Sequence, residues 1–221
     1  CKNNLFSIQG ELSANTIYSK IADEQLNLKS EANVPGRPPV LCPGCPHRGI
    51  YYIVKKLKLH AAGDIGCYTL GALPPLEGID TCICMGASVG MVHGIEKARG
   101  KDESKKWLGV IGDSTFIHSG ITGLIDIIYN KGISTVAILD NSTTGMTGHQ
   151  DHPATGKTLK GEPAPVLNLV ELVKAIGVKN IDVVDSYDID EIEAVLRKEI
   201  QREEHSVIIL SGLCALLSKK R

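Results

Sequence analysis

From about residue 40 onward, apolar residues alternate between short continuous runs and a wider helical spacing. The runs Trp107–Ile111 and Ile133–Leu139 have the length and β-branched content of strands that are buried on both faces. The segment between them places apolar residues along one stripe of a helix: Ile117, Ile121, Leu124, Ile125 and Ile128. A strand, a helix and a strand in this order predict a right-handed parallel crossover, which brings both strand ends to the same edge of one sheet.

The same alternation extends over most of the chain. Further strands are predicted at His60–Ile65, Thr81–Cys84, Ile181–Val184 and Val207–Leu210, and further helices at Ile50–Leu59, after Ser88, at Val166–Ile176 and at Ile189–Ile200. We therefore predict an α/β domain over residues 37–217, with a doubly wound, mostly parallel sheet and helices on both faces. Residues 1–36 are predicted to be a linker or an arm from a preceding domain, and residues 218–221 to begin a further C-terminal segment.

Composition narrows the class of protein. A hydrophobic content of 43% with only 4% aromatic residues fits an aliphatic sheet, and a formal charge of −1 gives no reason to expect nucleic acid or an anionic membrane as a partner. Seven cysteines, an odd number, do not form the pattern of a secreted disulfide framework, and no apolar run approaches the length of a membrane span. We expect a cytoplasmic protein, and the absence of an initiator methionine favours a piece of a longer chain.

Oxygen donors follow two neighbouring predicted strands. Asp113 comes directly after the first strand, and Asn141 follows the second, at the start of a loop rich in threonine and glycine. Because both strand ends lie at the ligand-binding edge of a parallel sheet, we expect these side chains to meet there. A carboxylate, an amide oxygen and a free loop carbonyl, for which we predict Thr143, suit an octahedral Mg²⁺ ion that also holds phosphate oxygens. The sequence therefore predicts a diphosphate–Mg²⁺ site.

Small residues shape two turns for close approach to a ligand. Gly112 lets the backbone come near, and the main-chain amides of Ser114 and Thr115 can face an anion. A second turn, Met85–Ala87, connects a predicted strand to a predicted helix and has the same small-residue character. Turns of this kind also serve packing alone, so the second turn by itself is unspecific.

The run Cys42–Arg48, C-P-G-C-P-H-R, is a second group with candidate chemistry. Two cysteines separated by two residues and followed by His47 are compatible with zinc, with an iron–sulfur cluster or with a redox dithiol. A site with four ligands needs a second pair, and Cys82 and Cys84 have unsuitable spacing and lie in a predicted strand. Two prolines and a glycine equally describe a rigid loop, and the residues alone leave these alternatives open.

The G-D-S…N pattern resembles the signature of thiamine-diphosphate enzymes. The stretch L-D-N-S-T-T-G-M-T-G-H-Q over residues 139–150 is similar to its version in 2-oxoacid:ferredoxin oxidoreductases, and C-P-G-C-P-H-R is similar to the indolepyruvate-type branch of that family. The resemblance covers about residues 37–217. It implies that the predicted site binds thiamine diphosphate and Mg²⁺, with Gly145, Met146 and Thr147 of the loop contacting the cofactor.

The resemblance also implies roles for residues outside the diphosphate site. It places Cys45 in a loop that lines the thiamine pocket, Gly66 and Cys67 beside the thiazolium ring, and Met85, Gly86 and Ala87 in a turn that contacts the cofactor. It makes Cys67 and His47 the candidate catalytic residues. Either His47 or Arg48 is then the expected partner of a substrate carboxylate.

The implied activity is oxidative decarboxylation of an aryl 2-oxoacid such as indolepyruvate, with acyl transfer to coenzyme A and electrons passed to ferredoxin. A separate pyrimidine-binding domain and a smaller partner subunit are expected to complete the enzyme, with 4Fe-4S clusters only in parts outside this chain. This piece alone is therefore expected to be inactive. Two alternatives are a non-oxidative thiamine-diphosphate-dependent 2-oxoacid decarboxylase and, in a different class, a non-catalytic module that binds metal through its cysteines.

Overall fold

The computed structural model describes residues 5–24 and 35–218. By its internal contacts the chain divides into two compact units, Cys1–Pro38 and Pro39–Arg221. The first unit contains helix α1 (Ala14–Ala22), whose first turn is capped by Ser13 accepting a hydrogen bond from the main-chain N–H of Thr16. The predicted boundaries at residues 36 and 217 stay predictions, and residues 1–4, 25–34 and 219–221 lie outside the described part.

The second unit is an α/β domain built on one parallel sheet. Its six strands are β1 (His60–Gly63), β2 (Thr81–Cys82), β3 (Trp107–Gly112), β4 (Thr135–Asp140), β5 (Asn180–Asp185) and β6 (Ser206–Ser211). They pair in the order β2–β1–β3–β4–β6–β5, and every pair is parallel. Parallel pairing throughout confirms the predicted doubly wound α/β class and brings all six carboxyl ends to one edge.

Helices cover both faces of this sheet. They are α2 (Arg48–Lys56), α3 (Ala87–Arg99), α4 (Lys101–Ser104), α5 (Asp113–Thr115), α6 (Ile121–Tyr129), α7 (Leu169–Ile176), α8 (Ile189–Glu199) and α9 (Ala215–Ser218), with a 3₁₀-helical stretch at Cys67–Ala72. Alternate residues of the central strands face opposite sides: Leu108 and Val110 join the core under α2 and α8, whereas Ile111 joins the core under α3, α6 and α7. This period of two explains why the strands are apolar at almost every position.

One predicted stripe is wrong in detail. Ile125 is 50% exposed, whereas Phe116, Leu124 and Ile127 are fully buried. The cause is a π-helical turn at Phe116–Gly120 between α5 and α6, in which the N–H of Ile121 donates to the carbonyl of Phe116. The extra residue in that turn rotates the following helix, so the buried stripe shifts relative to a regular 3.6-residue period.

The predicted strand Thr81–Cys84 is also too long. Strand β2 ends at Cys82, and Ile83 is 70% exposed. Strand β2 lies at the edge of the sheet and pairs only with β1, through Thr81 and Cys82. Its apolar residues are therefore not held between two neighbouring strands, which is the environment that such a run normally indicates.

Candidate functional site

A cavity of about 130 Å³ opens at the carboxyl ends of β1, β3 and β4. The predicted site residues that line it are His47, Gly66, Cys67, Met85, Gly112, Asp113, Ser114, Thr115, Asn141, Thr143, Gly145, Met146 and Thr147. The remaining lining residues are Ile65, Tyr68, Leu139 and Thr144. Three predicted residues, Cys45, Gly86 and Ala87, do not line this cavity. Five separate segments of the chain are thus brought to one place, as the parallel topology requires.

Asp113 borders the cavity at the end of β3 and is only 3% exposed. Its Oδ1 accepts the main-chain N–H of Ser114 at 2.8 Å, and its Oδ2 accepts that of Ser142 at 3.1 Å. The second of these bonds ties the end of β3 to the loop that follows β4. The carboxylate is therefore fixed between two strand ends, although it has no lysine or arginine as an ion-pair partner within residues 5–24 and 35–218.

A second carboxylate lies beside the first. The pKa of Asp140 is raised above its ordinary value, chiefly because burial penalises the charge and then because the Asp113 carboxylate is close. The N–H of Ser142 is shared, since it also donates to Oδ1 of Asp140 at 2.9 Å. Two partly or fully buried carboxylates with few donors form an environment that a divalent cation would relieve.

Asn141 is held from both ends of its amide. Its Nδ2 lies 3.1 Å from Nε2 of His47, and its Oδ1 accepts the main-chain N–H of Thr143 at 3.2 Å. Burial lowers the pKa of His47 to about 4, against a smaller opposing effect of the Asp113 charge, so the ring is neutral at physiological pH. A neutral ring leaves Nε2 free to accept the amide hydrogen. His47 thus orients Asn141, while Arg48 Nη1 donates to the carbonyl of Leu41 at 3.3 Å.

The loop after Asn141 folds back over the cavity. The N–H of Thr144 donates to the carbonyl of Gln150 at 3.0 Å, and its hydroxyl donates to that of Ser114 at 2.9 Å. The intervening residues Gly145–Thr147 form the wall opposite Cys67. A Cβ at Gly145 would lie 3.3 Å from Cys67 Sγ, which shows how closely the loop approaches the cysteine.

Tyr68 is a lining residue that sequence reasoning missed. Its ring is 4% exposed and lies edge-on to His47, with ring centroids 5.9 Å apart. A Cβ at either Gly66 or Gly112 would come within 2.5 Å of the Tyr68 ring. The two predicted glycines therefore make room for an aromatic ring, and glycines placed after two neighbouring strands were the only signal of it in the sequence.

The Met85–Ala87 turn is fixed by a different aspartate. Asp64, at 0% exposure, accepts the main-chain N–H groups of Gly86 and Ser88 at 2.9 and 3.1 Å. Gly86 has φ +86°, and a Cβ there would lie 2.5 Å from Cβ of Ser119. Gly86 and Ala87 thus serve the packing of α3, and only Met85 of this turn reaches the cavity.

A second cavity of about 80 Å³ adjoins the first and shares His47, Cys67, Asn141 and Gly145 with it. Four cysteines line this second cavity: Cys42, Cys45, Cys67 and Cys214. Burial raises the pKa of Cys45 to about 11 and also raises the pKa of Cys67, so both are neutral thiols as the chain stands. Cys82 and Cys84 are exposed and lie elsewhere. Across the described ranges, no group of three or more His, Cys, Asp or Glu side chains is placed to hold a metal ion.

A parallel α/β sheet whose carboxyl edge carries paired oxygen donors and a cavity is the architecture of phosphate-containing cofactor sites. The family model described as "Thiamine pyrophosphate enzyme, C-terminal TPP binding domain" matches residues 64–210. The chain belongs to this family of thiamine-diphosphate-binding domains. It therefore carries the fold of the half of such enzymes that binds thiamine diphosphate.

Two curated proteins with high similarity to this chain are both indolepyruvate oxidoreductase subunits. The chain is 44% identical over 205 residues to the indolepyruvate oxidoreductase subunit IorA of Archaeoglobus fulgidus, covering 90% of this chain and 32% of that protein. It is 42% identical over 201 residues to the subunit of the same name from Pyrococcus abyssi, covering 85% of this chain and 31% of that protein. The chain thus spans about a third of the length of these relatives, which are subunits of oxidoreductases.

Solved structures confirm the fold. The 2-oxoglutarate:ferredoxin oxidoreductase of Magnetococcus marinus, determined with 2-oxoglutarate, coenzyme A and succinyl-CoA bound, matches with a TM-score of 0.66 at 18% identity over 83% of this chain and 66% of that one. The benzoylformate decarboxylase of Polynucleobacter necessarius matches with a TM-score of 0.54 at 17% identity, over 90% of this chain and 39% of that one. Within the described residues, no helix is long and apolar enough to cross a membrane.

Proposed function

We propose that this chain is the diphosphate-binding part of an indolepyruvate-type 2-oxoacid:ferredoxin oxidoreductase of the cytoplasm. The observation that carries the proposal is that similarity to two IorA subunits, at 42–44% identity, extends over 85–90% of the chain. The reaction would convert an aryl 2-oxoacid and coenzyme A to an acyl-CoA and CO₂, with two electrons passed to ferredoxin. Bound thiamine diphosphate supplies the nucleophilic carbon and the electron sink for this chemistry.

The donor set at the carboxyl edge fits Mg²⁺. Asp113 would supply a carboxylate oxygen, Asn141 its Oδ1 and Thr143 its main-chain carbonyl, which are the hard oxygen ligands that Mg²⁺ prefers. The raised pKa of Asp140 beside Asp113 supports a cation here, because negative charge is concentrated where water is scarce. The N–H of Ser114 already donates to Asp113 Oδ1, so of the two predicted amides that of Thr115 would face the diphosphate.

The cavity wall would exclude water from the reacting end of the cofactor. Met85, Met146 and Leu139 contribute apolar surface, and Cys67 and Tyr68 lie across from the Gly145–Thr147 loop. His47 is already engaged by Asn141 and is neutral, so it would hold the metal ligand in place. Direct contact between His47 or Arg48 and a substrate carboxylate stays a prediction.

We further propose that the Cys42–Arg48 loop lines the cofactor pocket. Its cavity shares Cys67 with the cofactor cavity. Burial keeps Cys45 and Cys67 as neutral thiols, and among the described residues no group of three or more His, Cys, Asp or Glu side chains is placed to hold a metal ion. Iron–sulfur clusters are therefore expected in parts outside this chain.

The competing alternative, a module that binds metal through its cysteines, is tested on protein produced and purified without oxygen. We expect neither zinc nor iron in stoichiometric amounts. Stoichiometric zinc or iron that is lost in Cys214→Ser and kept in Cys84→Ser would support the metal-binding module instead, because Cys84 is exposed and lies outside the cavity.

The activity is tested by combining the chain with its pyrimidine-binding domain, its cluster-bearing segment and its partner subunit. We expect coenzyme A-dependent reduction of a low-potential dye with indolepyruvate, and a lower rate with pyruvate. Release of an aldehyde without coenzyme A or an electron acceptor would establish the non-oxidative decarboxylase instead. The chain alone should be inactive, because the carboxylate that activates the aminopyrimidine is expected from another domain; dye reduction by the isolated chain would contradict this.

A further inference from the structure

His152 lies in the polar segment that follows the Thr/Gly loop, yet its side chain is turned inward. Both neighbours, Asp151 and Pro153, are exposed, whereas His152 is only 7% exposed. Its Nδ1 accepts the main-chain N–H of Ala154 at 3.3 Å. An accepting Nδ1 carries no hydrogen, so the ring hydrogen of the neutral form lies on Nε2.

The nitrogen that carries this hydrogen lies beside the carboxylate of Asp113. Nε2 lies 3.3 Å from Oδ2 of Asp113, and both side chains are 4% exposed. The contact is an ion-pair distance without hydrogen-bond geometry, and Nε2 has no hydrogen-bond partner in the part of the chain that the structure describes. A buried ring N–H without a partner costs free energy, so a hydrogen bond from His152 to the Asp113 carboxylate would be favourable. His152 does not line the cofactor cavity, and it reaches the site only through Asp113.

We propose that His152 is a positioning residue that fixes the Asp113 carboxylate for Mg²⁺. This inference rests on the proposed cofactor site. Oδ2 is held by the Ser142 N–H on one side and faces His152 on the other, while Oδ1 accepts only the Ser114 N–H. The two contacts to Oδ2 stop rotation of the carboxylate and leave a lone pair of Oδ1 for the ion. His47 orients Asn141 in the same way, so each of the two predicted side-chain ligands is positioned by a histidine.

The choice of ion separates a positioning role from a structural one. Mg²⁺ demands near-ideal octahedral geometry, whereas Ca²⁺ accepts flexible coordination. A carboxylate that is free to rotate should therefore weaken Mg²⁺ binding more than Ca²⁺ binding. General loosening of the loop would weaken both ions to the same extent.

The test measures Mg²⁺ and Ca²⁺ affinity by calorimetry in the presence of saturating thiamine diphosphate. We expect His152→Leu, which keeps bulk but loses the donor, to weaken Mg²⁺ binding about tenfold, and Ca²⁺ binding by less than about threefold. His152→Gln places an amide N–H near the original Nε2 and should restore Mg²⁺ affinity to within about threefold. His205→Gln is the matched control, because His205 is similarly buried at 5% exposure but directly precedes β6, at the opposite edge of the sheet.

Each outcome decides a different statement. Wild-type affinity in His152→Leu, or equal losses for the two ions, would overturn the positioning role. If His152→Leu does not fold, an unrestored Mg²⁺ affinity in a folded His152→Gln would overturn it as well. A wild-type chain that binds no Mg²⁺ with thiamine diphosphate would overturn the proposed cofactor site, and this inference with it.

Discussion

Two neighbouring strands of the sheet end in the same dipeptide, and the two copies have opposite uses. Strand β1 ends at Gly63 and is followed by Asp64, and β3 ends at Gly112 and is followed by Asp113. The strands are paired directly, so the two aspartates stand at the same edge. Asp64 accepts three main-chain N–H groups, those of Ile65, Gly86 and Ser88, and is completely buried.

Asp113 has fewer partners and a cavity beside it. It accepts two main-chain N–H groups, with a histidine and a second carboxylate nearby. A carboxylate saturated by amides has no lone pair in reach of a ligand, whereas an undersatisfied one is prepared for a cation. The comparison teaches that a strand-end aspartate becomes structural or functional according to how many donors the following turn supplies.

The largest effect is expected from Asp113→Ala. Removing the charged ligand should weaken Mg²⁺-dependent binding of thiamine diphosphate by more than about 100-fold. The free energy of unfolding should change by less than about 1 kcal/mol, because the lost hydrogen bonds are offset by relief of Asp140. Calorimetric titration and urea denaturation measure the two quantities. Unchanged cofactor affinity would remove Asp113 from the site.

Asp64→Asn should show the reverse pattern. An asparagine keeps the shape but turns one acceptor into a donor facing a main-chain N–H, which should cost about 2–3 kcal/mol in the free energy of unfolding. Because Asp64 does not line the cavity, cofactor affinity of the folded protein should fall by less than about tenfold. Urea denaturation of Asp64→Asn beside Asp113→Asn makes the comparison direct. Equal stability of these two variants would contradict the division of roles.

Gly63 and Gly112, which precede the two aspartates, give a second comparison between the ends of β1 and β3. In Gly112→Ala the new methyl group would lie 2.5 Å from the buried Tyr68 ring, whereas in Gly63→Ala it would lie 2.7 Å from a methyl group of Ile79. An aromatic ring in a packed wall adapts less than an aliphatic side chain, so we expect costs of about 2–3 and 1–2 kcal/mol, respectively. Only Gly112→Ala should also weaken cofactor binding, since Tyr68 lines the cavity. Thermal denaturation and calorimetry of both variants would show an error if Gly63→Ala lost affinity as well.

The smallest effect is expected from Asn141→Ala, which should weaken Mg²⁺-dependent cofactor binding by about tenfold. It removes a neutral oxygen instead of a charge, and the main-chain carbonyl of Thr143 remains. Asn141→Asp serves as the comparison, because it keeps the oxygen but places a third carboxylate near Asp113 and Asp140. A loss in Asn141→Ala as large as in Asp113→Ala, measured by the same titration, would reverse the assigned order of the two ligands.

Most of the fold could be predicted from the sequence because strand and helix periods are local. The apolar runs before Asp113 and Asn141 identified β3 and β4, and the parallel order then placed both side chains at one edge. The phase of the helix at Ile125 could not be predicted, since a π-helical turn leaves the apolar spacing almost unchanged. Gly86 stays a predicted cofactor contact, although a glycine that packs on Ser119 has the same sequence signature as one that faces a ligand.

The contacts that were missed join residues far apart in the chain. Cys214 comes to Cys42 and Cys45 because β6 pairs with β4, and no local spacing reports that placement. His152 lies in a polar segment whose composition predicts exposure, and its buried side chain contacts Asp113, which no local pattern reports. Such residues can be found from the tertiary structure but not from the period of a single element.

The position of β6 has a consequence for when the site can exist during synthesis. Strand β6 follows β5 in the chain but lies between β4 and β5, so β5 has no place in the sheet until β6 emerges. The segment after β6 then completes the loop of the cofactor site, since Gly212 N–H donates to the Asp140 carbonyl and Cys214 N–H to that of Asn141. A nascent chain that stops before residue 206 therefore lacks both strand β6 and these two hydrogen bonds. We therefore expect a chain truncated before residue 206 to bind thiamine diphosphate more weakly than the chain that includes β6.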